Sequence, residues 1–172
     1  MAIDKIQSES INLADNFAFT GTVSGAGVSN KPAWLVTKNA NQSISSDTNT
    51  VLTWQTEIID TNSAFASNKF TIPSGEGGAY FLTAQIRFND MVNTDEAQLA
   101  FKKNGAYEFN DGNQNNYIVA IMKQGANGSI YYAHQAIVNL SASNYIEVAV
   151  FTNGGTRVIN ATYTRFGGYK LF

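Results

Sequence analysis

"AYFLTAQIRF", Ala79 to Phe88, decides how the rest of the chain is read. Tyr80, Leu82, Ala84, Ile86 and Phe88 share one face, while Phe81, Thr83, Gln85 and Arg87 share the other. A period of two belongs to a strand with one side in a core, because successive side chains of extended backbone point to opposite sides. The same alternation recurs in "AQLAF" through Ala97, Leu99 and Phe101, and in "YYAHQAIVNL" through Tyr132, Ala136, Val138 and Leu140. "YIEVAVF" repeats it with Ile146, Val148 and Val150. No stretch of ten or more residues carries a helical period.

Between these runs lie "SGEGG", "NDMVNTDE", "NGAYEFNDGNQNN", "QGANGS", "SASN" and "TNGGT", which are turns or loops by composition. Many short strands at this spacing, with nothing long enough to be a crossover helix, predict an all-β antiparallel sandwich or jelly roll. The small-residue stretch "SGAGVSN", Ser24 to Asn30, reads as a linker. It divides the chain into an N-terminal segment, residues 1–30, and a head domain, residues 31–172. Upstream of the linker, Ile11, Leu13, Phe17 and Phe19 alternate again, which predicts a short N-terminal β extension. So short a piece has no core of its own and must pack on the head, on copies of itself or on a larger partner.

The totals narrow the function. The 172 residues include 11 basic and 13 acidic side chains and no cysteine. Disulfides and thiolate chemistry are therefore excluded, and no basic stripe marks a nucleic-acid surface. No apolar run reaches the length of a membrane span, and "MAIDKIQSES" lacks the apolar region of a secretory signal. The expectation is a protein made in a cytoplasm that neither binds nucleic acid nor inserts into a membrane.

From about Ala33 to Phe172 the chain resembles the C1q/tumour-necrosis-factor-like jelly rolls. "FTIPSGEGGAYFLTAQIRF" is similar to that family's signature through Phe70, Pro73, Gly78, Tyr80 and Leu82, with "GEGG" as extra residues and Leu82 in place of an aromatic. "KKNG" at 102–105, "AIVNLSASNYIEVAV" and the terminal "FGGYKLF" resemble further family segments in the right order. The resemblance implies a ten-strand-type antiparallel jelly roll that assembles as a homotrimer. It also implies that the last strand is central in one sheet and lines the subunit contact, which accounts for a chain that closes on large apolar residues. Tyr80, Leu82, His134, Phe166, Tyr169 and Leu171 are the expected core and interface residues. Phe166 and the pair Tyr169 and Leu171 have opposite parity, so Gly167-Gly168 is expected to hold a bulge that restores the phase.

Asp4 to Gly27, most of all "NLADNFAFTGTVSG", resembles the opening segment of bacteriophage tail-fibre and related virion structural proteins. That likeness implies a virion location, with the N-terminal segment joined to other virion proteins and the jelly roll as a tip for a host surface glycan or protein. A head fibre or capsid decoration protein is the runner-up. A secreted ligand of the complement or cytokine kind is the third reading, weakened by the missing signal and collagen-like stalk.

Site chemistry is sparse. The loop around Tyr107, Phe109, Asp111, Asn113, Asn115, Asn116 and Tyr117 combines aromatic faces with amide and carboxylate groups, which suits sugar rings. Asp90, Asp95 and Glu96 could supply oxygen ligands to calcium, the one cofactor the sequence allows for; a solvated turn is the plainer reading. His134, the sole histidine, shares parity with Tyr132, Ala136 and Val138 and reads as a core or interface residue before it reads as a metal ligand or switch. One histidine, no cysteine and short acidic loops provide no convincing catalytic group, so the expectation is a non-enzyme.

Overall fold

The computed structural model describes residues 31–106, 119–123 and 127–172, the middle segment by its backbone alone. In chain order the strands are β1 (Ala33–Thr37), β2 (Gln42–Ile44), β3 (Thr50–Val51), β4 (Thr56–Asp60), β5 (Phe65–Ala66), β6 (Lys69–Thr71) and β7 (Gly78–Met91). They continue as β8 (Glu96–Lys103), β9 (Val119–Lys123), β10 (Gly128–Leu140), β11 (Tyr145–Thr152), β12 (Arg157–Ile159) and β13 (Arg165–Lys170). Among the described residues there is no helix, and every strand pairing is antiparallel. The expected all-β jelly-roll sandwich is the observed architecture, with short pieces of two or three residues added to the longer strands.

Two sheets face each other. The first runs β10-β7-β13-β1-β4, and β12 and β2 continue from the far half of β7. The second runs β5-β6-β11-β8-β9, with β3 also on β11. β7 is the organising strand: one edge pairs with β10 along its length, and the other takes β13 over residues 80–85 and β12 over 88–89.

The alternation read from the sequence is the burial pattern. Tyr80, Leu82, Ala84, Ile86 and Phe88 are fully enclosed, and Leu99, Phe101, Ile146, Val148 and Val150 meet them from the second sheet. The Trp34 indole stacks on Phe70 with ring centroids 3.8 Å apart, and Phe166 meets Trp34 edge-on at 5.6 Å. Truncating a side chain such as Leu82 or Phe166 to alanine in a core this closed costs about 2–5 kcal/mol.

The expected bulge at Gly167-Gly168 is absent. Register is continuous on both sides of β13, from Arg165↔Gln85 to Lys170↔Tyr80 and from Thr37↔Arg165 to Ala33↔Tyr169. The glycines serve clearance instead. A Cβ on Gly168 would lie 2.5 Å from the Trp34 ring, and one on Gly167 would lie 3.2 Å from Leu35 Cδ1. β13 therefore stays regular, with Phe166 inward and Tyr169 outward.

Lys38 and Tyr80 bring polar atoms against the core. Lys38 is buried, and its Nζ donates to Thr53 O at 2.6 Å and Gln42 Oε1 at 3.0 Å. Burial lowers its pKa to about 8. Tyr80 Oη donates to the Glu76 carbonyl at 2.6 Å. Burial, and secondarily the Glu76 charge, push that hydroxyl up to about 12.

Candidate functional site

The second face of the β10-β7-β13-β1-β4 sheet looks away from the core, and strand register lays its side chains out in rows. Ile137, Phe81, Tyr169 and Ala33 form the first row. Gln135, Thr83, Gly167, Leu35 and Ile59 form the second. Ala133, Gln85, Arg165 and Thr37 form the third, and Tyr131 with Arg87 the fourth. Neighbours within a row stand close enough to pack as cross-strand pairs.

The face is therefore graded. Its first two rows carry large apolar side chains in the open: Ile137 is 68% exposed and Tyr169 48% exposed. The Phe81 and Tyr169 rings pack together at 5.4 Å, and Leu35 lies over Gly167, where no side chain competes for the space. Leu171 and the exposed Phe172 follow β13 at the same end. The segment is pinned by Leu171 N donating to Ala79 O at 2.8 Å and by Lys31 Nζ donating to Leu171 O at 2.9 Å. Lys170 pairs with Glu76 at 2.9 Å beside it.

The expected core and interface residues separate on this geometry. Tyr80, Leu82 and Phe166 are core, Tyr169 lies on the outer face, and Leu171 is half-buried at its margin. His134 points inward and stacks on Phe101 at 5.2 Å. Sequence reading placed Phe81 on the side opposite Tyr80 without assigning it a role. Its partnership with Tyr169 depends on pairing β7 with a strand far along the chain, and no local pattern carries that information.

The acidic loop is engaged otherwise than calcium binding requires. Asp95 Oδ2 accepts from Arg157 Nε at 2.6 Å and from the Val92 amide at 2.9 Å, and the carboxyl group is buried. The Arg157 hydrogen bond holds its pKa below the ordinary value against the opposing effect of burial. Glu96 accepts from Gln98 Nε2 at 2.8 Å, and Asp90 is exposed near the end of β7 with a left-handed φ of 61°. Among the described residues no three acidic or histidine side chains come together in a way that could hold a metal. Tyr107, Phe109, Asp111, Asn113, Asn115, Asn116 and Tyr117 lie outside the described residues, as does the N-terminal segment.

No family model matches the sequence, nor does any curated protein sequence. Solved structures do match in fold. The globular domain of zebrafish complement 1qA superposes with a TM-score of 0.57 at 14% identity, covering 83% of this chain and 98% of that one. Murine APRIL at pH 5.0 gives 0.55 at 17% identity, covering 82% and 99%. The Eiger TNF of S. frugiperda gives 0.54 at 14% identity, covering 83% and 93%. The chain thus has the jelly-roll fold shared by C1q and TNF-like domains.

Proposed function

We propose that this chain is a non-enzymatic attachment protein of a phage virion, a trimeric fibre tip that holds a host surface glycan. The observation that carries the trimer is the apolar end of the outer face. Among the described residues nothing covers Ile137, Phe81, Tyr169, Leu35 and Ile59, which cross five adjacent strands, and Phe172 extends the patch. A contiguous apolar surface of this kind marks an interaction site. A closed threefold arrangement buries it on every copy, and three linked copies turn weak single-site contacts into useful avidity. The virion assignment draws on the sequence likeness of Asp4 to Gly27, and that segment would make the joint to other virion proteins. The C1q and TNF-like neighbours support a second reading, a secreted ligand.

Sedimentation of the full chain is expected to give a trimer, and Phe81→Glu a monomer that still binds ligand weakly. A monomeric wild type would end this reading. Trimer that coats host cells and blocks phage adsorption supports the fibre tip. Binding to purified capsids without cell binding would instead make it a decoration protein, and binding only to an animal receptor a secreted ligand.

A further inference from the structure

The opposite end of the outer face is built differently. Arg87 lies six residues along β7 from Phe81, roughly 20 Å away at strand rise. Register places Tyr131 directly across from it on β10. On its other side, Arg87 N donates to Thr164 Oγ1 at 3.1 Å, and Asn160 N donates to Arg87 O at 2.9 Å. These bonds fix the turn that carries Tyr163. The guanidinium carbon lies 5.4 Å from the Tyr131 ring and 5.9 Å from the Tyr163 ring, and the two rings meet edge-to-face at 5.6 Å.

Three features distinguish this cluster from an ordinary surface contact. Arg87 takes part in neither of the ion pairs among the described residues, and its enclosed Nε has no hydrogen-bond partner there. The rings hold the cation in place without neutralising it. Both tyrosines remain about half open, at 51% and 52% exposure. The third feature is backbone strain at Tyr163. It is the third residue of the turn closed by Thr164 N to Ala161 O and has φ 71°. The other eight non-glycine residues with positive φ among the described residues are all Asp, Asn, Ser or Thr. A bulky ring at a position that favours glycine carries a backbone cost, and its contacts with Tyr131 and Arg87 still leave half of it open.

We infer that Arg87, Tyr131 and Tyr163 form a binding site for an acidic sugar, a pyranose ring carrying a carboxylate. The open tyrosine faces stack on the C–H face of the ring, and the unpaired guanidinium takes the carboxylate. Gln85 and the exposed Arg165, one row away and paired across β7 and β13, stand ready for neighbouring hydroxyl or carboxylate groups. This rests on the reading of the chain as a glycan-attachment protein and names the class of sugar.

The test is titration calorimetry of the full chain with tetragalacturonate, its methyl ester and penta-glutamate. The acid is expected to bind, the ester about tenfold or more weakly and the peptide likewise, as expected when a charge-assisted hydrogen bond or the ring stacking is lost. Tyr163→Gly relieves the turn, so its melting temperature should hold while affinity falls about tenfold. Arg87→Gln should erase the preference for acid over ester. Absence of acid binding, or binding that Tyr163→Gly leaves intact, would overturn the site. Equal binding of penta-glutamate would overturn the sugar assignment. Binding by a protein that sediments as a single chain would keep this site and remove only the trimer.

Discussion

Lys38 shows how one buried charge shapes the response to pH. Its ammonium has oxygen partners in Thr53 and Gln42 and takes part in neither ion pair among the described residues. Burial lowers its pKa from 10.5 to about 8. Between those values the unfolded chain binds a proton that the folded chain has released, so stability rises with pH across that window. Tyr80 acts in the opposite sense. Its folded pKa of about 12 exceeds the ordinary 10.0, so stability falls once the unfolded chain begins to ionise. Urea unfolding is expected to show greatest stability at roughly pH 9–10, and Lys38→Met should lose the rise above pH 8. A variant that keeps the full rise would exonerate Lys38.

At the level of the strand, β13 is the informative element. Gly168 lies between the Phe81 carbonyl and the Trp34 indole, each 2.5 Å from where a Cβ would sit, so a side chain there must displace both the β7 backbone and the ring that stacks on Phe70. Gly168→Ala is expected to destabilise the fold by about 1–3 kcal/mol, measured as a lower urea midpoint at unchanged slope. An unaffected midpoint would show that the indole and the Phe81 peptide both give way at little cost. The sequence disclosed inward and outward parity in β7, β8, β10 and β11, because one buried face imposes a period of two on each. It did not disclose the role of Gly167-Gly168, since a glycine pair reads equally as a bulge or as clearance until the strands on both sides are known. The site was less legible still. Arg87, Tyr131 and Tyr163 come from three segments: β7–β10 register brings the first two together, and hydrogen bonds from the 160–164 turn to Arg87 bring the third. Asp95 looked like a loop carboxylate because Arg157, 62 positions away, leaves no local mark.

Across the whole molecule, the Asp95–Arg157 pair ties two passages between the sheets. Asp95 lies in the turn from β7 to β8, and Arg157 opens β12 just after the chain leaves β11. Arg157 also donates to the Gly154 carbonyl, and a Cβ on Gly154 would collide with the Asp95 carboxylate. The folded pKa of Asp95 is depressed, so its contribution is complete above the ordinary value of 3.8 and disappears as pH falls through the folded one. Asp95→Asn is expected to lower the neutral-pH melting temperature by several degrees, for a loss of about 1–3 kcal/mol, and to flatten the decline below about pH 4. An acid limb as steep as that of the wild type would assign acid sensitivity elsewhere.

The position of β13 between β7 and β1 also bears on biosynthesis. While the ribosome is still making the chain, β1 and β7 have no strand to bridge them, and the aromatic residues that will be enclosed remain wet. The sandwich can close only after residues 165–170 emerge. Premature termination within that stretch would therefore yield a sticky, protease-sensitive product rather than a shortened working head.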